Sequence, residues 1–315
     1  MAKRSIIPFG PQHPVLPEPV HLDLVLEDET VVGVIPSIGY IHRGLEKLVD
    51  KRDFKQYTYV AERICGICSC GHGLGYCLAV EQVMNIEVPD RAKYLRTIWV
   101  EMSRVHSHLL WLGLLADAMG FESLHMESWR LREKILDMFD ETTGGRIIHS
   151  VNQVGGVQKD MDSTMLNDIL HAIDDIEKQM KPIVKTFLHD YTVQSRLKGV
   201  GVLSKDDAIA QGAVGPMLRA SGVEYDARLL GYGAYKDLTV EPIISKDGDS
   251  YGRCEVRLKE LFQSFDLIRE AIGKIPQGDI SVPVKGNPDG EYFVRIEQPR
   301  GEAIYYVKGS GKKYL

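Results

Sequence analysis

Four of the chain's five cysteines, Cys65, Cys68, Cys70 and Cys77, fall within thirteen residues, and the first two stand three apart in Arg63-Ile64-Cys65-Gly66-Ile67-Cys68. That spacing lets two sulfurs converge on one metal ion. The pair leads into a helical pattern, and a helix N-terminus beside Arg63 favours the thiolate form that metals require. His72 follows Cys68 by one helical turn. Its ring therefore falls on the same face and can donate a hydrogen bond to a bound thiolate. A bare Cys-x-x-Cys is equally compatible with a zinc half-site, a thioredoxin-like redox pair or two core cysteines. An odd cysteine count crowded into one segment, with no signal peptide ahead of it, argues against a disulfide framework.

The elements that must hold these residues can be read from periodicity. His21 to Val34 alternates apolar and polar residues around Glu27-Asp28-Glu29, which predicts a β-hairpin. Arg43 to Arg63 reads as helical. From Pro89 to Gly120 the apolar residues Leu95, Ile98, Met102, Val105, Leu109, Leu112 and Ala116 recur at helical spacing, with Pro at the start and Gly at the stop. Further helices are expected over 123–141, 163–188 and 256–272, a glycine-rich irregular stretch after Gly199, and strands over 292–307. The predicted fold class is α+β, mainly α: an antiparallel helix-bundle core with small flanking β-sheets. No linker or single-sign charge block divides the sequence, so one domain over 1–315 is expected.

Composition narrows the function. With 44% apolar and 26% charged residues the chain is an ordinary globular protein, and a net charge of −6 with scattered basic residues gives a nucleic-acid surface little support. No apolar run is long enough to span a bilayer. A cytoplasmic location is expected, with any membrane attachment coming through partner subunits.

The full string Arg-x-Cys-Gly-x-Cys-x-x-x-His is more specific than the cysteine pair. It resembles the N-terminal metal motif of nickel-iron hydrogenase large subunits, and the likeness extends over nearly the whole chain. Its other carriers are Gly10-Pro11-Gln12-His13-Pro14, Gly39-Tyr40-Ile41-His42-Arg43-Gly44-Leu45-Glu46, Gly155-Gly156-Val157, Gly215-Pro216 with Arg219-Ala220-Ser221-Gly222, and Pro299-Arg300-Gly301-Glu302. Within the family it looks like the energy-converting, membrane-bound group (Ech-type, group 4). That group shares ancestry with the quinone-site subunit of complex I, the NADH-quinone oxidoreductase.

The resemblance implies nickel on four cysteine thiolates, two of them bridging to an iron with carbonyl and cyanide ligands. Cys65 and Cys68 match the N-terminal pair; soft thiolates suit such metals. Arg300 matches an arginine that hangs over the open nickel position, the plainer role being a surface ion pair. Glu18 matches a proton-relaying glutamate, against an exposed turn carboxylate. Glu46 matches an acidic residue near a structural magnesium or similar ion, against a helix-surface glutamate. Cys70 and Cys77 match no ligand and are expected in the core. His106 and His108, in the long helix, read as satisfied core histidines, with Ser107 between them where several soluble hydrogenases carry an acid.

The implied reaction is reversible heterolytic cleavage of dihydrogen at the cytoplasmic face of a membrane. The implied partners are an iron-sulfur small subunit that takes the electrons, membrane ion-translocating subunits and maturation factors. The family closes its site with a second Cys-x-x-Cys near the C-terminus, which this sequence lacks. The simplest expectation is a C-terminally truncated sequence whose 315 residues do not retain nickel alone, since two of four ligands are missing. Two other readings compete. One is a non-metal coupling or quinone-binding subunit in which His13 and Tyr76 face a quinone headgroup. The other is an iron-sulfur or zinc site on Cys65, Cys68, Cys70 and Cys77, which needs four sulfurs to converge although Cys68 and Cys70 should point apart.

Overall fold

A computed structural model describes residues 4–14, 16 and 18–315. Its chain contacts separate into two compact units, Met1–Leu48 and Val49–Leu315.

The first unit is built on an antiparallel sheet of β1 (Arg4–Phe9), β2 (His21–Glu27) and β3 (Thr30–Ser37), in that order. The hairpin predicted around residues 27–29 is present: Glu27 pairs with Thr30, and Asp28 takes the left-handed conformation (φ 55°) that so short a turn needs. The added strand β1 carried no signal beyond its apolar residues. Ile6, Ile7, Val34, Ile35 and Ile38 all remain exposed, so this sheet buries little apolar surface.

The continuous helix expected over 43–63 is not formed. Two single turns, α1 (Leu45–Val49) and α2 (Tyr57–Ala61), flank a break, and a 3-10 turn covers Glu62–Ile64. The cause is local: the Asp53 carboxylate accepts from the Lys55 backbone N–H at 2.9 Å, an Asx turn that competes with helix, and Phe54 N–H donates to Lys313 O instead.

In the second unit α3 (Ser69–Val83) carries the cysteine segment, and four long helices share one apolar core: α4 (Asp90–Ala118), α5 (Glu122–Thr143), α6 (Ser163–His189) and, later in the chain, α10 (Ser250–Lys274). Helix α4 packs against α5 and α10, and α6 packs against the same two. Helix α4 is buried almost all round, which fits its central place; Gly120, at φ 70°, ends it. Helix α6 buries a single stripe, Leu166, Ile169, Ile173, Ile176, Met180, Ile183 and Phe187, and its N-cap Asp162 accepts from Met165 N–H.

The strand pair β4 (Asn152–Gln153) and β5 (Gly156–Val157) precedes α6. The glycine-rich region holds α7 (Tyr191–Leu197), α8 (Lys205–Ala210) and α9 (Gly215–Ala220). The expected strands form the hairpin β6 (Asp289–Gln298) and β7 (Gly301–Ser310), which packs on α3. Among the described residues the fold is thus α+β, mainly helical, with three small sheets.

A buried ionic network ties α4, α9, α10 and β6 together. Arg219 meets Glu260 at 2.7 Å and Glu297 at 2.8 Å, Arg228 meets Asp226 at 2.7 Å, and His108 meets Glu260 at 2.7 Å. Glu101 takes Arg228 at 3.3 Å, the Tyr235 hydroxyl at 2.5 Å and Ser264 at 2.7 Å.

Candidate thiolate metal centre

Cys65 follows the 3-10 turn in extended backbone, and Cys68 occupies the N-cap position of α3. The loop Gly66-Ile67 folds the two sulfurs back on one another. Their Sγ atoms and a ring nitrogen of His72 all lie within 4.8 Å of each other. Hydrogen bonds from the Cys68 side chain, and then from His72 and the backbone N–H groups of Ile67 and Cys68, hold the Cys65 thiol down at about 3, against the burial that opposes ionisation. Cys65 is therefore a thiolate at neutral pH, ready to bind a metal without first losing a proton.

His72 is also held by its own helix and by the hairpin. It stands one turn into α3, where its N–H donates to Cys68 O, and its Nδ1 shares a short hydrogen bond with the Tyr305 hydroxyl on β7. Burial and the nearby Cys68 and Cys65 sulfurs push the Tyr305 phenol upward, so it stays protonated. Glycines make this approach possible. A Cβ on Gly75 would lie 2.5 Å from the Tyr305 ring, and one on Gly71 would lie 2.1 Å from Gln298 Oε1. The missing side chains of α3 let the hairpin reach the site.

The other cysteines stay apart. Cys70, Cys77 and Cys254 are fully buried, and burial pushes all three thiols up, Cys254 to about 12. Asn152 Nδ2 donates to Cys70 O at 3.0 Å, and Thr58 Oγ1 contacts Cys77 Sγ at 3.7 Å. Among the described residues no third cysteine joins the Cys65–Cys68 cluster.

Arg300 is exposed in the two-residue turn of the β6–β7 hairpin, next to the Gln298 that abuts Gly71. Glu18 and Glu46 belong to the first unit: Glu18 is half-buried between β1 and β2, and Glu46 is exposed on α1, 3.6 Å from His42. His108 is satisfied by Glu260, as expected of a core histidine, but His106 keeps an unpartnered buried Nδ1. Tyr76 is buried and its hydroxyl donates to Phe54 O at 2.7 Å.

Sequence reasoning missed Tyr305, which reaches His72, Glu62, which opens the 3-10 turn before Cys65, and Ser69 and His149, which meet at the first residue of α3. Ser69 donates to Ile147 O at 2.6 Å and lies 3.2 Å from His149 Nδ1. Only the alternation Gly71-His72-Gly73-Leu74-Gly75 signalled that something must approach this helix closely.

Residues 43–119 match the family profile described as nickel-dependent hydrogenase, and residues 118–287 match that of the respiratory-chain NADH dehydrogenase 49 Kd subunit. The membrane-bound hydrogenase subunit alpha of Pyrococcus furiosus is 39% identical over 96% of this chain and 75% of its own length. This chain belongs to the family of nickel-dependent hydrogenase large subunits and complex I 49 kDa subunits. A second family member, an F(420)H(2) dehydrogenase subunit of Methanosarcina mazei, is 36% identical over 98% of this chain and 86% of its own. The family fold is likewise that of a chain in the membrane-bound sulfane sulfur reductase, an archaeal respiratory membrane complex. That chain superposes with a TM-score of 0.94 at 30% identity, over 99% of this chain and 86% of its own.

Two of these relatives are by name parts of membrane-bound assemblies, while among the described residues no helix here is long and apolar enough to cross a membrane. Two converging soft donors suit nickel or iron, and they make up half of the four-thiolate set that the resemblance implies.

Proposed function

We propose that this chain is the active-site subunit of a membrane-associated, energy-converting nickel-iron hydrogenase. The observation that carries this reading is the convergence of Cys65 and Cys68 with His72 behind them. A subunit that only transmits conformational change has no need of a depressed thiolate at a helix start. Cys65 and Cys68 would hold the metal as two of its four thiolates. When bound, the centre supplies the redox-active metal at which dihydrogen is cleaved heterolytically.

The chain's own residues divide the rest of the work. Cys65 offers an ionised sulfur, and Tyr305 holds the His72 ring in one orientation toward it. Arg300 would bring a fixed cation to the substrate side, and Glu18 would carry the proton away. Glu46 would help hold a magnesium or similar ion. Electrons would pass to an iron-sulfur small subunit, with membrane subunits coupling the reaction to ion movement at the cytoplasmic face.

A second reading, a coupling subunit of a complex I-like oxidoreductase that works without dihydrogen, is favoured by the likeness to the sulfane sulfur reductase chain and by the 49 Kd profile. Against its quinone form stands Tyr76, whose hydroxyl is already engaged by Phe54 O. The experiment is nickel analysis and dihydrogen-dependent dye reduction on the complex purified with this chain. Stoichiometric nickel and dye reduction, both lost in Cys65→Ser, are expected. A complex without nickel that still oxidises its other electron donor overturns the hydrogenase reading.

A further inference from the structure

The hairpin β6–β7 is a sheet of its own, so each strand has an edge that no other described strand covers. Its register runs without a shift from the pair Asp289–Ser310 to the closing pair Gln298–Gly301. Across a two-residue turn the closing residues exchange hydrogen bonds, and successive residues then point their N–H and C=O to alternate edges. Gln298, Ile296, Val294 and Tyr292 therefore bond to β7, while Glu297, Arg295, Phe293 and Glu291 turn theirs outward. Glu297 shows this parity directly: its N–H donates to the Tyr232 hydroxyl at 3.0 Å, and its C=O accepts from Arg104 Nη2 at 2.9 Å.

Away from Glu297 the outward groups go unmet. Among the described residues nothing donates to, or accepts from, the outward backbone groups of Phe293 and Arg295. Residues 292–295 instead line a cleft of about 590 Å³ that they share with the end of α3, the start of α4 and the loop 230–236. Native strand edges are blunted by proline, by a bulge or by a covering loop. Here the covering stops at the Glu297 end, with Tyr232 and with Ala227, whose N–H donates to Glu297 Oε2 at 3.1 Å. Further along, Tyr292 is 46% and Phe293 59% exposed, so unpaired backbone and bare aromatic surface coincide. Such an edge is a template for another extended chain.

We propose that the outer edge of β6 from Glu291 to Arg295 receives an extended, acidic segment of a partner subunit, which adds a strand to the hairpin inside this cleft. The spacing of the outward N–H and C=O groups is one that another backbone matches, and their bonds supply the affinity. Side chains lining the cleft supply the selectivity. Glu81 is taken by the buried Arg96 at 2.7 Å, Lys93 by Asp90 at 2.7 Å, and Arg295 reaches Glu302 at 3.5 Å. Lys236, also lining the cleft, has no ion pair among the described residues, and it selects an acidic residue in the segment. Tyr292 and Phe293 select aromatic or aliphatic neighbours on the added strand. Edge-to-edge pairing with a second copy of this chain is disfavoured, because it would press the Tyr232 and Ala227 caps of both chains against the paired strands. A single segment carries no such cap. The inference rests on the membership of an assembly proposed above and uses neither its metal nor its reaction.

Amide hydrogen exchange, resolved to single residues and compared between the full chain alone and the complex purified with it, tests this. In the chain alone the Phe293 and Arg295 amides are expected to exchange fast and the Ile296 amide, bonded to β7, slowly. In the complex the two outward amides are expected to slow by at least about 100-fold. Phe293→Pro removes an outward N–H and spares the ladder to β7. It should abolish the slowing at Arg295 while Ile296 stays slow, and Phe293→Val should keep the slowing. Fast exchange of both outward amides in the complex overturns the proposal, as does slowing at Arg295 that survives Phe293→Pro. Slowing that appears in the chain alone as its concentration rises, together with a dimer in sedimentation, overturns it in favour of a second copy. Nickel analysis and dye reduction on the same complex report on the hydrogenase reading separately, so either conclusion can fail while the other stands.

Discussion

Two buried charged regions of the second unit are organised in opposite ways. Around Arg219 and Arg228, charges from α4, α9, α10 and β6 are paired several times over. Along the start of α3 the unpartnered buried atoms, Glu62 Oε1, His149 Nε2, Asn152 Oδ1 and Gln298 Nε2, belong to groups outside any ion pair described above, whereas those of the network, Arg104 Nε and Nη1 and Arg219 Nη2, belong to guanidiniums that meet carboxylates. Saturated pairing resists change of any member, because removing one charge strands the others. Incomplete pairing leaves room for a proton, a metal or a substrate. The first arrangement serves the fold, and the second is where chemistry is expected.

Substitutions should separate the two regions. Arg219→Met leaves Glu260 and Glu297 without their guanidinium, and a loss of about 3–5 kcal/mol in denaturant unfolding is expected. A loss below about 1 kcal/mol would mean that the network is not what holds these elements together. Next in size is Gly75→Ala. Helix propensity favours it by about 1 kcal/mol, but the added Cβ meets the rigid Tyr305 ring at 2.5 Å, so a net loss of about 1–3 kcal/mol is expected. Stabilisation instead would show that the hairpin can give way.

A pH dependence follows from two buried histidines, His106 and His149. Burial holds His106 down at about 3 and His149 at about 4, against an ordinary 6.5. Their contribution is complete above pH 6.5 and is lost as pH falls toward those values, because the unfolded chain takes up protons that the folded chain refuses. The slope is about 1.4 kcal/mol per pH unit for each histidine below 6.5. Denaturant unfolding at stepped pH should reveal it, and His106→Gln should flatten it; an unchanged slope in that variant excludes His106. The smallest expected effect on stability, within about 0.5 kcal/mol, is that of Cys65→Ser, a partly exposed site. In the complex purified with this chain, the same variant should lose its nickel by elemental analysis, and this contrast with Arg219→Met is the sharpest form of the comparison.

The long helices were legible because each has an apolar stripe and a readable stop, as in α6 with its Asp162 cap and α4 with Gly120. The cysteine pair and His72 were legible because they lie within eight residues and one turn. Over 43–63 the sequence misled: apolar residues occur at tolerable spacing, and the Asp53 turn and the contact of Phe54 with Lys313 decide against helix. Tyr305, Ser69 and His149 were invisible because their part in the site comes from pairings across 78 to 233 residues.

The glycine-rich start of α3 bears on the order in which the molecule assembles. Three glycines at 71, 73 and 75 make this helix about 3 kcal/mol less favourable than an alanine counterpart, so it has little tendency to form early. The side chains that fill its gaps come from Glu62, Asn152, Gln298 and Tyr305, and the last two must return across more than two hundred residues. Contacts of such long range close late. The thiolate pair is therefore a product of the final stages of folding, and a nascent chain presents Cys65 and Cys68 as a loose, accessible loop before it presents them as a site. On the reading proposed above, metal delivery would have a time window, set by how fast the β6–β7 hairpin docks on α3.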